Sequence, residues 1–328
     1  MTEQPTMKAI VRKRFGSPEV LEIASVPRPI PDDDQVLVRI HAISLNRADW
    51  YAMVGRPLLG RPMMGFVRPR TERLGTDYSG VVEAVGKNVT GFHPGDAVFG
   101  GRDGALAEFV AARYDRAIVL KPSGIDHEHA AAVPVAALTA LQALRDHGKV
   151  QDGQRVLING ASGGVGTFAV QIAKAFGAEV TAVCGPRGIE AARTSGADAV
   201  VDYTQDDFTR VATRFDLVID IAGNRPWRQL RRVLTPTATV VLVGGPMGGV
   251  LGPMGHLFGT KLSAAVSKRR STFFIAKFNK PDMETLRDML ADRRIRPVID
   301  RRFRFDEYTA AFRHLGEGHP QGKVVLTV

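Results

Sequence analysis

Two rhythms of apolar and polar positions divide this chain. Over the first third, short stretches at 7–15, 20–24, 35–45, 78–85, 97–100 and 106–112 read as strands. Turn signals separate them: a Pro/Asp-rich segment at 27–34, then Gly86-Lys87-Asn88 and His93-Pro94-Gly95-Asp96. The pattern predicts a compact, mostly antiparallel β domain with one face of its strands on a core. Further along, the apolar runs become continuous. Val156-Leu157-Ile158 is followed by runs at 179–185, 199–203, 215–223 and 238–245, with helix-length stretches at 188–195, 205–213 and 227–234 between them. Such βα alternation predicts a parallel sheet covered on both faces. A helix over 130–146 leads from the first rhythm to the second. After Lys280 come a helix (282–294), a strand (298–305), a helix (306–315) and a last strand (323–328). That tail is expected to return to the first domain, because a final strand without a partner would be unstable. The domains are therefore drawn as 1–125 completed by 281–328, and 126–280.

The first βα unit of the second half carries the sharpest chemistry. The strand ends in Asn159-Gly160-Ala161-Ser162-Gly163-Gly164-Val165-Gly166, and a helix follows at 167–176. Small residues at Ala161, Gly163 and Gly166 have the spacing of a dinucleotide-binding turn, with alanine in the first glycine position. Tiny side chains let the backbone turn, let pyrophosphate reach the amides, and let the helix pack on the strand. The helix start then supplies unpaired N–H groups and a positive dipole end. The second strand ends at Gly185-Pro186-Arg187 with no acid to accept from a ribose 2′-hydroxyl. Arg187 instead offers a planar fork suited to a 2′-phosphate, which favours NADPH over NADH. Its other reading is a solvated surface arginine. Tyr203, ending the third strand, could flank the same pocket, and Val243, within the fifth, is a further cofactor-binding candidate.

Composition narrows the class. The chain has 328 residues, room for two domains, and 44% of them are hydrophobic. Mean hydropathy is −0.06, that of a globular protein. The single cysteine, Cys184, allows neither an internal disulfide nor a cysteine cage for a metal. Residues 1–8 are polar, so no signal peptide is read there, and the expected setting is cytoplasmic. The uncharged run 233–260 is long enough to cross a bilayer, but its seven glycines and three prolines break it into a strand and a loop. The net charge of +10 is spread over short clusters, among them Arg12-Lys13-Arg14, with no aromatic interleaving of a nucleic-acid module. It favours an anionic cofactor or a polyanionic surface, or marks an arginine-rich exterior alone.

Dispersed motifs now carry a resemblance. They are Leu45-Asn46-Arg47-Ala48-Asp49-Trp50-Tyr51, Gly75-Thr76-Asp77-Tyr78-Ser79-Gly80-Val81-Val82 and Phe92 to Asp96, then Ala132-Val133-Pro134 with Leu138-Thr139-Ala140, the glycine turn, and Gly322-Lys323-Val324-Val325. Over essentially its whole length the chain resembles the medium-chain dehydrogenase/reductase superfamily. The branch is that of the zinc-independent, zeta-crystallin-like quinone oxidoreductases, nearest their reticulon-interacting subgroup. The resemblance implies a GroES-like catalytic domain plus a doubly wound Rossmann domain, an α/β architecture, with the active site between them. Zinc-dependent relatives place a cysteine where Asn46 stands and a His-Glu pair where Thr76-Asp77 stands. None of those ligands is present, so no metal is expected. His127 and His129 are read as solvated linker residues.

Without a Lewis acid, hydride should go to carbons that are already electrophilic. The expected reaction is NADPH-dependent reduction of a quinone or an α,β-unsaturated carbonyl. The resemblance implies Asn46 and Tyr51 as the catalytic pair, the amide donating to a substrate carbonyl or holding the nicotinamide. Tyr51 is read either as a donor or as an aromatic packed at the rim, and Asp49 as a turn stabiliser. Thr139 resembles the residue beneath the nicotinamide. His319 and Gln321 lie in a cofactor-contacting stretch where relatives often carry arginine in place of Gln321. Two segments are expected to set substrate choice: 55–73, with five arginines against one glutamate, and the apolar 244–260. A lipophilic or acyl-anionic substrate suits them, as ordinary loops would also explain them. An enoyl-thioester reductase and a non-catalytic NADPH- or RNA-binding protein are the alternatives. A homodimer through an edge strand at 272–278 is a further expectation.

Overall fold

The computed structural model describes residues 4–56, 58, 61–245, 270–318 and 320–328. By its internal contacts the chain forms two units. The first comprises Met1–Leu138, Lys277–Arg293 and Ile299–Val328, the second Thr139–Ala276 and Arg294–Val298.

In the first unit, β1 (Thr6–Arg12) pairs antiparallel with β2 (Leu21–Pro27). A seven-stranded sheet holds β3 (Gln35–Leu45), β4 (Asp77–Val85), β5 (Ala97–Gly101), β6 (Phe109–Arg113), β7 (Ile118–Leu120), β14 (Ile299–Arg304) and β15 (Lys323–Thr327). Strand β3 is its centre. The run of Val, Leu and Ile along it gives three neighbours a buried surface, and it pairs antiparallel with β4, β6 and β15. The last strand thus finds its partner in β3, while β14 lies parallel to β15. Ile10, Val38, Ile43, Tyr78, Phe312 and Val324 belong to the core beneath this sheet. Helices α1 (Arg47–Val54) and α2 (His127–Ala131) belong to this unit, and α3 (Pro134–Gln142) begins in it.

The second unit is a six-stranded parallel sheet of β8 (Arg155–Asn159), β9 (Glu179–Cys184), β10 (Ala199–Asp202), β11 (Phe215–Asp220), β12 (Leu234–Leu242) and β13 (Arg270–Phe273). Its order is β10-β9-β8-β11-β12-β13, so the strand order reverses between β8 and β11. Ligands bind at such a reversal, outside the carboxyl ends of the strands. Helices α4 (Gly164–Ala175) and α5 (Ile189–Thr194) follow β8 and β9.

Several expected elements change. The helix at 205–213 shrinks to the single turn Phe208–Arg210, because Asp207 Oδ1 accepts from both the backbone and the hydroxyl of Thr209. The helix at 130–146 becomes α2, α3 and a wider turn at Ala143–Gly148, with Pro134, which has no N–H to give, opening α3. The edge strand expected at 272–278 is β13, ending at Phe273. Strand 106–112 starts at Phe109, and β7 is an addition. The apolar segment 244–260 lies, beyond Gly245, outside the described residues.

Candidate active site

In the first unit, three strand ends bring distant residues together. Ser44 is in register with Asp77, and Leu45 with Val324. Asn46, Asp77 and Lys323 therefore meet at one end of β3, β4 and β15. Asn46 leaves the strand in an extended conformation and caps α1, its backbone N–H donating to Asp49 Oδ2 at 2.7 Å. The Asn46 amide Nδ2 donates to Asp77 Oδ2 at 2.8 Å. Lys323 Nζ donates to Asn46 Oδ1 at 2.5 Å and to Asp77 Oδ2 at 3.3 Å. Asp77 Oδ1 accepts from the Val135 N–H at 3.0 Å.

All four polar residues are buried. Burial pushes the Asp77 carboxyl up, against the pull of Lys323 and Asn46. Asp49 is pushed up to about 7, chiefly by burial and further by the charge of Asp77, while the Asn46 N–H and Lys323 oppose it. Two carboxyls share one ammonium, so a proton at Asp49 relieves the excess negative charge at neutral pH. Asp49 holds a helix start, as its sequence position suggests. Tyr51, on α1, is half-buried, and burial holds its phenol above the ordinary value, so it stays protonated and keeps an O–H to donate.

Lys323 and Asp77 escape a reading by residue type, because an isolated charge in a sequence reads as solvated. The one signal is a lysine opening the apolar run Lys323-Val324-Val325-Leu326. Nearby histidines also depart from expectation. His127 stacks on His41 at 4.7 Å and shares a 2.8 Å hydrogen bond with Ser79 Oγ. Burial and the neighbouring His41 bring its imidazole down to about 4. His129 is not free either, its ring lying 2.7 Å from Asp126.

The second unit holds the glycine turn. Gly160 leaves β8 at φ +91°, the left-handed region that glycine tolerates, and its N–H and that of Ala161 both donate to Val183 O at 3.0 Å. Ala161 is fully buried and Ser162 nearly so. A Cβ at Gly166 would lie 2.1 Å from Gly160 O, so only glycine lets α4 close on the turn. A Cβ at Gly163 would meet only Gly160 O, at an unobjectionable 3.7 Å. The protein's own packing does not demand glycine there. First-turn amides at Gly164, Val165 and Gly166 have no acceptor within the helix.

Behind the turn, Asn159 Nδ2 donates to Asp220 Oδ1 at 2.8 Å and to Asn224 Oδ1 at 3.0 Å, and Gly223 N–H donates to the same carboxylate oxygen at 2.9 Å. This network ties β8 to β11 where the strand order reverses. Val243 N–H donates to Asp220 O at 2.9 Å. After β9, a Cβ at Gly185 would touch Tyr203 Oη at 3.0 Å, so the two expected pocket residues are neighbours. Arg187 is exposed and makes no hydrogen bond or ion pair with a described residue. Asp202, in register with Cys184, is held by the N–H and hydroxyl of Thr204. Thr139 on α3 and Gln321 before β15 are partly exposed, and His319 lies outside the described residues.

The chain is similar to known proteins in sequence and fold. The model described as the alcohol dehydrogenase GroES-like domain matches residues 32–123, and the one described as zinc-binding dehydrogenase matches 195–326. The chain is 34% identical to the mouse (Mus musculus) NAD(P)H oxidoreductase RTN4IP1, mitochondrial, over 98% of this chain and 89% of that protein. It belongs to the quinone-oxidoreductase-like branch of the medium-chain dehydrogenase/reductase family. The tomato (Solanum lycopersicum) 2-methylene-furan-3-one reductase is 31% identical over 98% of this chain and 79% of its own length. The structure of the quinone oxidoreductase from Coxiella burnetii superposes with a TM-score of 0.86 at 30% identity, covering 99% of this chain and all of that one. The first unit is thus the family's GroES-like domain and the second its Rossmann domain.

Within that family the donors at Asn46, Thr76 and Asp77 do not fit zinc. Asn46 and Thr76 offer an amide and a hydroxyl, weak zinc donors, and Asp77 already accepts from an ammonium, an amide and a backbone N–H. Among the described residues, no cluster of three or more His, Cys, Asp or Glu side chains is placed to hold a metal. No helix among them is long and apolar enough to cross a membrane.

Proposed function

We propose that this protein is a zinc-independent, NADPH-dependent reductase that transfers hydride to a quinone or an α,β-unsaturated carbonyl. The observation that carries the reading is the glycine turn with open space at Gly163, set in the same unit as an exposed Arg187 beside the Gly185–Tyr203 contact. The amides of Ser162 to Gly166 receive the pyrophosphate, Arg187 grips the 2′-phosphate, and Tyr203 flanks the ribose. Thr139 and Val243, in the second unit, serve the nicotinamide end. When bound, NADPH supplies the hydride.

Asn46 and Tyr51 hold the substrate. Nδ2 has two N–H groups, and Asp77 engages one of them. The second, with the Tyr51 hydroxyl, donates to the substrate oxygen where negative charge develops. Lys323 supplies a fixed positive charge behind Asn46, in place of the divalent ion of zinc-dependent relatives. A fixed ammonium behind an amide polarises a carbonyl less than direct coordination does, which suits acceptors already activated by conjugation. An enone gains hydride at its β-carbon and the resulting enolate is protonated from solvent, whereas a quinone gains it at a carbonyl oxygen and the resulting phenolate is protonated from solvent. Oxidation of NADPH by 9,10-phenanthrenequinone in the presence of a zinc chelator tests this. Turnover is expected, and its loss on chelation would contradict zinc independence.

The same reading includes a reducing, cytoplasmic setting, supported by the one buried cysteine. It also includes a homodimer, supported by β13 at the end of its sheet, a strand edge that pairing would cover. A monomer by light scattering would contradict the dimer.

A further inference from the structure

Between α1 and β4 the first unit carries a small loop fastened at its base. A helical turn at Arg61–Met64 leads into it. The Arg70 N–H donates to Met64 O at 2.9 Å and closes Gly65-Phe66-Val67-Arg68-Pro69 into a finger. Arg61 ties the finger to the end of α1, with Nη1 donating to Phe66 O at 2.8 Å and Nε to Gly55 O at 2.7 Å. Gly65 stands at φ +109°, and a Cβ there would lie 2.0 Å from Arg68 O, so the tight fold of the loop requires glycine. A loop held in this way presents its tip in a fixed shape.

The tip is apolar. Phe66 is 71% exposed and Val67 84%, and among the described residues no other two consecutive large apolar side chains are both exposed. Side chains this open pack little against their own chain, so they add little to its core. The charge around them has one sign. Arg56, Arg68, Arg70 and Arg73 are exposed, and none makes a side-chain hydrogen bond or ion pair with a described residue. Arg14 is exposed as well, next to Phe15, whose ring the Arg61 guanidinium covers at 3.9 Å. Glu72 is the one acid between Gly55 and Arg73.

An apolar tip collared by guanidiniums fits a surface that is negative at its face and hydrocarbon beneath. An anionic lipid bilayer has that layering. Apolar side chains enter its headgroup boundary by about 5–10 Å, while arginines keep their charge at the level of the phosphates. A protein partner burying about 800 Å² a side would call for a broader apolar area than two side chains offer. We propose that the Phe66–Val67 tip and the arginines around it form a docking surface that binds this protein reversibly to anionic lipid bilayers. The attachment is peripheral, since no helix among the described residues is long and apolar enough to cross a membrane. It does not depend on the reductase reading.

The test is sedimentation of the full chain with vesicles of phosphatidylcholine, and with vesicles of phosphatidylcholine and phosphatidylglycerol in equal parts, at physiological salt. The wild type is expected to bind the mixed vesicles and not the neutral ones, and to be released by high salt, which screens the arginines. Replacing the tip by Phe66→Ser with Val67→Ser should weaken binding by about ten-fold or more. Arg68→Glu with Arg70→Glu should abolish it. All these positions are exposed, so melting temperatures should stay at the wild-type value. In a Phe66→Trp variant, quenching by lipids brominated on their acyl chains is expected, because the tip enters the hydrocarbon boundary. Absence of binding to the mixed vesicles would overturn the proposal, as would a Phe66→Trp variant that binds without quenching. Binding that survives the tip replacement would reduce it to adhesion by net charge and overturn it too. If the arginines instead bind polyglutamate tightly and the tip replacement changes nothing, the partner is an acidic polypeptide and the bilayer is ruled out.

Discussion

Lys323 Nζ lies 2.5 Å from Asn46 Oδ1, joining the first residue of the last strand to the cap of α1 across 277 positions of sequence. It also contacts Asp77, and the two side chains are 3% and 0% exposed. Breaking a buried pair from one side strands the other charge, at about 3–5 kcal/mol. Lys323→Met is expected to lower the unfolding free energy by that amount in urea titrations. Adding Asp77→Asn should restore part of the loss, because the stranded carboxylate is gone. A double variant no more stable than the single would show that charge pairing is not what Lys323 contributes.

Gly166 is the position where the turn tolerates no side chain. Gly166→Ala forces a methyl against Gly160 O, a backbone atom. Overpacking of this kind costs about 1–3 kcal/mol and moves the amides out of line. A lower melting temperature is expected together with NADPH affinity weakened by at least about ten-fold. Gly163→Ala should behave differently, keeping wild-type stability while losing NADPH affinity, because its methyl stands in the way of the proposed ligand and not of the protein. Calorimetry and fluorescence titration on the two variants separate the cases.

Asp49 makes stability depend on pH. Its carboxyl is pushed from the ordinary 3.8 up to about 7, so the native state holds this proton more tightly than the unfolded chain does. Between about pH 4 and pH 7 the native form carries more protons, and stability falls as pH rises, by up to about 1.4 kcal/mol per pH step for this group. Below that window the contribution is nil, and above it the penalty is complete. Asp49→Asn retains an oxygen that can accept from the Asn46 N–H and removes the titration. The advantage of the variant over wild type should therefore grow as pH rises from about 4 to about 7 and stay constant above that, in denaturation experiments. A difference that does not change with pH would contradict the assignment.

Strand β3 and the glycine turn were legible because local pattern determines both. An apolar run between turn signals marks a core strand, and steric demand fixes where a side chain is excluded. The helix expected at 205–213 failed for an equally local reason, since Asp207 and Thr209 close a side-chain turn that competes with helix. Buried charges were not legible. Arg12 sits in the basic run Arg12-Lys13-Arg14, which reads as surface, yet β1 carries it inward. Lys323 acquires its role from residues brought together by register between β3, β4 and β15, which no local pattern encodes.

The most direct measurement is the binding of NADPH against NADH, by fluorescence titration, for the wild type and Arg187→Ala. Arg187 is exposed on the turn after β9 and makes no bond with a described residue, so its removal should leave the fold unchanged. The wild type is expected to prefer NADPH by at least about ten-fold, and the variant to lose most of that preference while keeping its affinity for NADH. A wild type that binds both cofactors equally, or a preference that survives in Arg187→Ala, would contradict Arg187 as the 2′-phosphate receptor. Failure to bind either cofactor would contradict the reductase reading as a whole.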